Sequence, residues 1–349
     1  MGRLKEWMYE MEEMDERGIS VEAIQADAEQ LLKKLQAQPR QVGMFRVRTA
    51  NESINDAQSQ KQPRNLYENL IFEGEITLLF ADTGVGKSIF AVQVANKISE
   101  TDKVLYLDLE LSDKQFQKRY SEDFQNDYVF NDNFFRIDPA RQLNIPEGTD
   151  YNTYIIDSIK LLVEATDAKI VIIDNMTKLV SSDTDKAKVA KPLMDDLNNL
   201  KFEHNLTLLL LEHTRKTECG RPISLNDLQG SKMKSNFADS VFSIGVSTKD
   251  KNMRYIKQLK CRSAEIEYTA ENVPVYEVVK ENSFLHFKFF EEYDREFNHI
   301  KGVTDEDRET QRAEAKELHE QGVSKREVAR RLGVSEGAVR KWLKKPLIV

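Results

Sequence analysis

The amino-acid sequence predicts an α/β fold with a mostly parallel central sheet and antiparallel strands towards its C-terminal end. A strand, a glycine-containing loop and a helix follow one another without interruption between residues 75 and 95. Continuous apolar runs at 103–108, 169–174 and 206–212 alternate with helical stretches, which is typical of strands buried on both faces of a parallel sheet. After residue 239, strand-like segments succeed one another without helices between them, which favours an antiparallel extension.

Composition and periodicity divide the chain into five regions. Residues 1–40 carry apolar side chains at helical spacing, interrupted near Gly18, and predict an N-terminal helical segment. The polar stretch 41–65 is typical of a linker, with one short possible strand at Met44–Val47. The remaining regions are a main domain at 66–295, a charged linker at 296–311 and a small helical domain at 312–349.

The composition indicates a globular protein with no membrane partner. The 349 residues are 40% hydrophobic, which is enough for a substantial core. No apolar run is long enough to span a membrane, and the N-terminus turns acidic where a signal peptide would be apolar, so we expect a cytoplasmic location. Cys219 and Cys261 form neither a disulfide framework nor a metal-ligand pattern. The net charge of −8 excludes a uniformly basic surface but leaves room for a local one.

The loop between the first core strand and its helix has the form of a phosphate-binding loop. Its sequence from Ala81 to Ser88 matches G-x-x-x-x-G-K-[ST], except that Ala81 stands at the first glycine. Gly84 and Gly86 let backbone N–H groups face phosphates, Lys87 would neutralise the β- and γ-phosphate oxygens, and the helix N-terminus adds positive potential. A chance Gly-Lys-Ser turn would not require this strand-to-helix context. We therefore expect ATP to be bound by Thr83, Gly84, Val85, Gly86, Lys87, Ser88 and Ile89.

A second strand supplies a carboxylate for the same site. Four apolar residues, 170–173, end in Asp174, which is the form of a Walker B strand. Its carboxylate is expected to hold Mg²⁺ together with Ser88, because hard divalent cations prefer carboxylate and hydroxyl oxygens. The alternative is an acidic residue that merely ends a strand.

Hydrolysis also needs a group that orients and polarises the attacking water. Two carboxylates near the end of the 103–108 run are candidates for this role. Glu110 lies just past the predicted strand end, and Asp108 lies two residues earlier on the same side. We favour Glu110, with the alternative that it only stabilises the start of the helix beginning near Ser112.

The order of these motifs resembles that of the RecA-like ATPases. The shared features are the phosphate loop, a second strand ending in Leu-Glu-Leu-Ser, an apolar strand ending in Asp-Asn, and a fourth strand ending in His213-Thr-Arg. Within that superfamily the chain is similar to the DnaB and RadA branch and, more closely, to RepA-type hexameric plasmid helicases, over roughly Leu66 to Phe290. The resemblance implies that Glu110 is the catalytic base, that His213 senses the γ-phosphate, and that the protein forms a ring or hexamer.

A Lys-x-Arg pair resembles a further feature of the family, and two basic loops lie where RecA-like rings carry nucleic-acid loops. Lys260 and Arg262 resemble the Lys-x-Arg pair that many of these enzymes insert into the neighbouring subunit's ATP site, where a guanidinium stabilises charge on the transferring phosphoryl group. The alternative is a basic strand end that faces solvent. The loop from Arg215 to Arg221, and Lys232 and Lys234 on the next loop, lie where such rings contact single-stranded DNA. Solvated flexible loops are the alternative.

The C-terminal region predicts a helix-turn-helix. Ala313–Gln321 forms a first helix, Ser324 opens a second with a capping box, and Ser335 caps a third with an apolar face. The region resembles the DNA-binding tails of resolvases and transposases. Ten Lys or Arg against five Glu give it a charge near +5, so the rest of the chain carries about −13. The residues expected at duplex DNA are Ser335, Glu336, Arg340, Lys341 and Lys344. A three-helix protein-interaction module is the alternative.

These predictions combine into an Mg-ATP-hydrolysing protein that acts on DNA. The resemblance to RepA-type proteins implies a helicase, or a replication or mobilisation protein, of a plasmid or other mobile element. The alternative is an ATP-dependent DNA-binding regulator or loader that assembles on a DNA site without unwinding it.

Overall fold

The computed structural model describes residues 41–42, 45–140, 145–179, 186–215, 221–229, 231–300, 305–332 and 334–344. The chain forms two compact units that divide between Gln62 and Pro63.

The first unit contains a short hairpin and one helix among its described residues. Its elements are β1 (Gln41–Val42), β2 (Phe45–Arg46) and α1 (Ala50–Gln58). Thr49 caps the helix, because its hydroxyl accepts the N–H of Glu52 while the Glu52 carboxylate accepts the N–H of Thr49. This helix was not predicted, because the composition of 41–65 is polar. The spacing of Thr49 and Glu52 is nevertheless that of a capping box. The predicted helices of 1–40 lie outside the described residues.

The second unit is an α/β domain followed by a group of helices. Its first half contains β3 (Asn65–Tyr67), β4 (Ile71–Phe72), β5 (Ile76–Ala81), α2 (Lys87–Ile98), β6 (Val104–Asp108), α3 (Asp113–Arg119), β7 (Ser121–Glu122), β8 (Asn126–Asp127), β9 (Phe134–Ile137), α4 (Tyr151–Thr166), β10 (Ile170–Asp174), α5 (Met176–Leu179), α6 (Lys186–His204) and β11 (Thr207–His213). Its second half contains α7 (Ser231–Phe237), β12 (Ser240–Val246), β13 (Met253–Lys260), β14 (Val273–Glu281), β15 (Phe284–Asp294), α8 (Glu296–Ile300), α9 (Asp305–Glu320), α10 (Lys325–Leu332) and α11 (Glu336–Lys344).

Nine of the described strands form one sheet in the order β15-β14-β13-β12-β5-β11-β10-β6-β9. The six strands from β12 to β9 run parallel, and β13, β14 and β15 continue the sheet in antiparallel pairs. This topology confirms the predicted RecA-like α/β fold, with its parallel centre and antiparallel C-terminal strands.

The parallel register brings four predicted site positions to one edge of the sheet. Asp174 pairs in register with Asp108, and His213 pairs with Ala81 at the start of the phosphate loop. The carboxyl ends of β5, β6, β10 and β11 therefore meet where the sequence places its charged residues.

Aromatic packing on one face of the sheet holds the helix that begins at the phosphate loop. The ring of Phe90 in α2 meets the rings of Tyr67, Phe242, Tyr276 and Phe287, with centroids 5.4 to 6.5 Å apart. Edge-to-face pairs of this kind contribute about 0.5–1.5 kcal/mol each beyond the burial of apolar area. The helix is thereby fixed against both the parallel core and the antiparallel strands. The opposite face is covered by α4 and α6.

The C-terminal helices α9, α10 and α11 have an apolar core of their own. Its fully buried members are Ala315, Val328, Ala329, Val334 and Val339. Ser324 and Ser335 cap the second and third helices, as predicted, by accepting the backbone N–H groups of Glu327 and Ala338. The first helix begins at Asp305, earlier than the expected Ala313. No described helix is long and apolar enough to cross a membrane.

Candidate active site and nucleic-acid interface

The phosphate-binding loop connects β5 to α2 at the carboxyl edge of the sheet. Gly84 and Gly86 have positive φ angles of 76° and 114°, which residues with side chains rarely adopt. A β-carbon on Gly86 would also lie 3.0 Å from the ring of Phe287. The two glycines therefore allow the close turn that a phosphate cradle requires. Ala81, at the position of the first glycine of the motif, is the buried last residue of β5.

The side chain of Lys87 folds back onto the loop. Its Nζ donates to the carbonyl oxygens of Ala81 at 2.7 Å and Asp82 at 3.1 Å. Burial lowers the pKa of Lys87, while the charges of Asp174 and Glu110 oppose that change. Because its present partners are neutral carbonyls, an anionic phosphate oxygen would be a stronger partner.

Asp174 ends β10 beside the loop and is buried. Its Oδ2 accepts the Tyr106 hydroxyl at 2.7 Å, and its carboxylate also accepts a hydrogen bond from Ser88. Burial raises the pKa of Asp174, and these two hydrogen bonds act in the opposite direction. The Ser88 hydroxyl and the Asp174 carboxylate are oxygen ligands of the kind Mg²⁺ prefers, so the pair fits this ion. The sequence analysis did not single out Tyr106, whose role depends on the pairing of β6 with β10.

A row of close polar contacts runs from Glu110 to Lys87. The amide Nδ2 of Asn175 donates to Glu110 Oε1 at 2.6 Å and lies 3.1 Å from His213 Nε2. His213 Nδ1 in turn lies 3.3 Å from Lys87 Nζ. Asn175 directly follows Asp174 in the chain but was not among the predicted site residues. The structure thus brings the three predicted residues Lys87, Glu110 and His213 together through this asparagine.

The surroundings of His213 determine its protonation. Burial and the nearby Lys87 ammonium lower the pKa of His213, which favours the neutral ring, and the charges of Glu110 and Glu212 oppose that change. Asn175 Nδ2 and Lys87 Nζ are both donors, and a neutral imidazole has one acceptor nitrogen, so His213 accepts a hydrogen bond from one of them and not from both.

Asp108, the competitor of Glu110, is occupied by structural contacts. Its Oδ1 accepts the N–H groups of Glu110 at 3.3 Å and Leu111 at 2.9 Å. Its Oδ2 accepts Arg136 Nε at 2.9 Å. Asp108 therefore shapes the turn that carries Glu110, whose own side chain is exposed beside Asn175.

The residues expected on a second nucleic-acid loop lie on helix α7 instead. Lys234 forms an ion pair with the buried carboxylate of Glu212, which also accepts the Thr177 hydroxyl at 3.1 Å. This contact corrects the expectation that Lys234 lies on a flexible loop. The side chain of Lys232 and residues 216–220 lie outside the description.

Lys260 and Arg262 lie at the end of β13, away from the chain's own phosphate loop. Lys260 Nζ donates to the carbonyls of Ser235 at 2.8 Å and Ala238 at 2.6 Å. The Arg262 side chain is 57% exposed and pairs with Asp239 at 2.9 Å. Lys260 is thus held by backbone oxygens, whereas the guanidinium of Arg262 stands at the surface.

The predicted DNA-contacting residues have different surroundings. Arg340 and Lys341 on α11 are exposed, and Arg340 pairs with Glu336 at 2.6 Å. Ser335 is fully buried, and its hydroxyl donates to Asp250 Oδ2 at 2.6 Å. The side chain of Lys344 lies outside the description.

Fold and site together define a P-loop ATPase domain of RecA-like fold, joined to a C-terminal helix-turn-helix. A family model described as an AAA domain matches residues 45–218, and a model of homeodomain-like domains matches residues 306–346. A KaiC-like protein of the hyperthermophilic archaeon Pyrococcus horikoshii OT3 is similar, with a TM-score of 0.47 and 16% identity, over 63% of this chain and 94% of that one. A comparison with curated proteins finds no match.

Proposed function

We propose that this chain hydrolyses Mg-ATP in a multi-subunit ring and uses the cycle to act on DNA, as a helicase or replication protein of the RepA and DnaB type. The observation that carries the proposal is the row from Glu110 through Asn175 and His213 to Lys87 beside the phosphate loop. Such a row joins a candidate base for water to the group that faces the γ-phosphate.

Each member of the row has a definite part in the proposed hydrolysis. Glu110 accepts the proton of the attacking water, and Asn175 holds the Glu110 carboxylate in place. Lys87 exchanges its two carbonyl partners for phosphate oxygens. Once Lys87 has turned to the phosphates, His213 donates a hydrogen bond from Nδ1 to a γ-phosphate oxygen. Loss of that phosphate then breaks this hydrogen bond at the end of β11.

Ser88 and Asp174 would hold Mg²⁺ through oxygen atoms. No cluster of three or more His, Cys, Asp or Glu suited to a metal occurs in the parts of the chain that the structure describes. The remaining positions around the ion would then be filled by phosphate oxygens and water, which is the usual arrangement for Mg²⁺ at nucleotide sites. The bound ion would neutralise charge on the phosphates.

The exposed guanidinium of Arg262 supports a role in an assembly. It follows the end of β13, where Lys260 pairs with Val241 of β12, and Val241 in turn pairs with Leu78 in β5. Arg262 therefore lies towards the amino end of the parallel strands, at the opposite edge from the phosphate loop, and it stands at the surface. In a ring, we assign Arg262, with Lys260 behind it, to the ATP site of the neighbouring subunit. Hydrolysis would then depend on assembly, for which a hexamer is the proposed state.

Contact with duplex DNA is assigned to the helix-turn-helix. Arg340 and Lys341 are exposed on α11, the helix that corresponds to a recognition helix. The positive charge of this unit contrasts with the acidic remainder of the chain. Several copies on one ring would raise the effective affinity for DNA.

A second candidate function is a regulator or loader that binds duplex DNA without unwinding it. The observation that favours it is the ion pair between Lys234 and the buried Glu212, which leaves the Lys234 charge compensated rather than directed at a single strand. In this case ATP would control assembly on a DNA site.

One experiment separates the two functions. ATP turnover is measured without DNA, with single-stranded DNA and with duplex DNA, alongside unwinding of a forked duplex, and Lys87→Ala serves as the inactive control. Stimulation by single strands together with unwinding supports the helicase. ATP-dependent duplex binding without unwinding supports the regulator, and the absence of Mg-dependent turnover under all conditions contradicts the ATPase proposal.

A further inference from the structure

The helix-turn-helix is packed against the antiparallel strands of the ATPase domain. Phe290 of β15 packs against the apolar core of its three helices. On the same strand, burial raises the pKa of Glu292, and the charges of Lys249 and of Arg330 on α10 oppose that change. Apolar packing therefore connects the two parts.

The first turn of α11 meets two carboxylates of the ATPase domain. The buried Ser335 hydroxyl donates to Asp250 Oδ2 at 2.6 Å while it accepts the N–H of Ala338 at 3.1 Å. The N–H of Gly337 donates to the carboxylate of Glu277 on β14. A β-carbon on Gly337 would lie 3.7 Å from Glu277 Oε1, so the carboxylate touches the helix backbone.

This turn is the part of a recognition helix that would face DNA. In helix-turn-helix proteins the N-terminal residues of the second helix contact base edges, and helix N-termini also bind phosphates. Carboxylates at a helix N-terminus are stabilised by the same partial positive charge that attracts phosphates. Asp250 and Glu277 therefore lie where DNA would contact this helix. The partial positive charge at the helix N-terminus attracts the two carboxylates as it would attract phosphates.

The segment that runs from Asp250 into the start of β13 also contacts the phosphate-binding loop. Arg254, four residues further on, donates from Nε to the carbonyl of Val85 at 2.7 Å and from Nη1 to the carbonyl of Lys251 at 2.7 Å. None of the described carboxylates forms an ion pair with Arg254, although the charge of Asp250 acts on it. One short segment thus touches the recognition helix on one side and the phosphate cradle on the other.

We propose that Asp250 and Glu277 hold the helix-turn-helix in a closed state that covers its base-reading turn, and that Arg254 links this state to the nucleotide loop. The inference rests on the proposed DNA-binding function of the unit. Duplex DNA has to displace the two carboxylates before it binds. The association constant of the full chain therefore equals that of the open state multiplied by the fraction of molecules that are open. A nucleotide that repositions Val85 changes this fraction through Arg254.

The test compares the full-length chain with D250A/E277A and with a matched control, D132N/E265Q. The control removes the same charge from two exposed positions outside the contact. Binding of a mixed-sequence duplex is followed by fluorescence anisotropy at one fixed salt concentration. We expect about a tenfold tighter binding for D250A/E277A if one molecule in ten is open at rest, and no comparable change for the control.

Hydrogen exchange of the α11 amides gives a readout that does not depend on DNA. Exchange at residues 336–340 should accelerate in D250A/E277A and stay unchanged in the control. If wild type and double variant bind duplex equally and exchange equally, the closed state is wrong, while the proposed DNA binding stands. If no protein binds duplex, DNA binding by this unit fails, and the exchange data alone then support or overturn the carboxylate contact.

A third arm tests the link to nucleotide. In wild type, duplex affinity should differ between Mg-ADP and a non-hydrolysable ATP analogue, and R254A should remove that difference. If R254A retains the same difference as wild type, the nucleotide link is overturned.

Discussion

At the residue scale, the two carboxylates at the carboxyl end of β6, Asp108 and Glu110, have different surroundings. Asp108 is buried and accepts hydrogen bonds from two backbone N–H groups and from Arg136. Both oxygens of the Asp108 carboxylate are thus engaged by structural partners. Glu110 is exposed, and its carboxylate accepts a hydrogen bond from Asn175 Nδ2 at 2.6 Å. The exposed carboxylate is therefore the better base for an attacking water.

The substitution Glu110→Gln is expected to reduce ATP turnover about 10²–10⁴-fold, because the amide cannot accept the water proton. Nucleotide affinity should be nearly unchanged, since Glu110 does not belong to the phosphate loop. Turnover under saturating Mg-ATP and binding of a fluorescent nucleotide are the two measurements. Glu122→Gln, an exposed carboxylate on β7, is the control. Full turnover in the Glu110 variant would remove it as the base.

Ala81 is the one departure of the phosphate loop from its common pattern. It is buried within β5, and its carbonyl accepts hydrogen bonds from Lys87 Nζ and from the N–H of Thr214. These contacts use the backbone alone. The side chain therefore takes no part in the cradle, and alanine suits a strand better than glycine.

Ala81→Gly, which restores the common motif, should leave the Michaelis constant for ATP unchanged. It should lower the stability of the α/β domain by about 0.5–1 kcal/mol, because glycine loses more conformational freedom on folding. Urea unfolding monitored by circular dichroism checks the stability. A marked gain in nucleotide affinity would show that Ala81 constrains the loop.

At the element scale, the short helix α8 places two ionisable residues in the interior. Glu296 accepts hydrogen bonds from Lys257 Nζ at 2.5 Å and from the N–H of Ile223 at 2.7 Å. His299 stacks on Tyr255 and lies 2.8 Å from Ser247 Oγ through Nδ1. Glu296 has its charge compensated, whereas His299 is held in the neutral form.

Burial lowers the pKa of His299 to about 4, with the charge of Lys249 acting in the same direction and that of Asp294 opposing it. Between pH 6.5 and pH 4 the unfolded chain binds this proton and the folded chain does not, so stability falls as the pH falls. From pH 7 to pH 4.5 the loss attributable to His299 is about 2–3 kcal/mol. Above pH 6.5 the contribution is constant.

His299→Asn should therefore lower stability at pH 7 but flatten its decline towards pH 4.5. His319→Asn, at an exposed histidine on α9, is the control and should keep the wild-type slope. Urea unfolding midpoints at several pH values supply the comparison. If stability declines equally with pH in wild type and in His299→Asn, the pKa of His299 does not differ between the folded and unfolded chain, and the prediction is wrong.

The elements also show what the sequence could and could not predict. The strands β5, β6, β10 and β11 were predictable because continuous apolar runs mark strands buried on both faces. Helix α7 was taken for part of a loop, since its polar residues pack only through tertiary contacts such as Lys234 with Glu212. Asn175, Arg136 and Arg254 were missed as site residues for the same reason, because each acquires its partners from a distant strand or loop.

At the scale of the whole molecule, the proposed trans role of Arg262 would leave the ATP site of a single chain incomplete. The phosphate loop, Glu110 and Asp174 lie at one edge of the sheet, whereas Arg262 stands exposed at the end of β13. A head-to-tail ring joins such unlike surfaces of successive subunits, so one interface can complete the site. The helical tails then lie at equivalent positions on every subunit.

This arrangement predicts that two inactive variants restore activity when they are mixed. Lys87→Ala lacks the phosphate lysine and Arg262→Ala lacks the trans guanidinium, so each ring made of one variant is inactive. In random mixed rings about one interface in four combines an intact Lys87 with an intact Arg262 from its neighbour, and about a quarter of the wild-type rate should return.

ATP turnover after the two variants are mixed, dissociated and reassembled is the measurement, and size-exclusion chromatography checks that both form the same oligomer. Lys87→Ala mixed with Glu110→Gln is the matched control. If Lys87 and Glu110 act in the same subunit, every subunit of a mixed ring lacks either Lys87 or Glu110. No site is then complete, and the control mixture should stay inactive. Recovery in the control but not in the Arg262 mixture would place Glu110 across the interface and leave Arg262 outside the site.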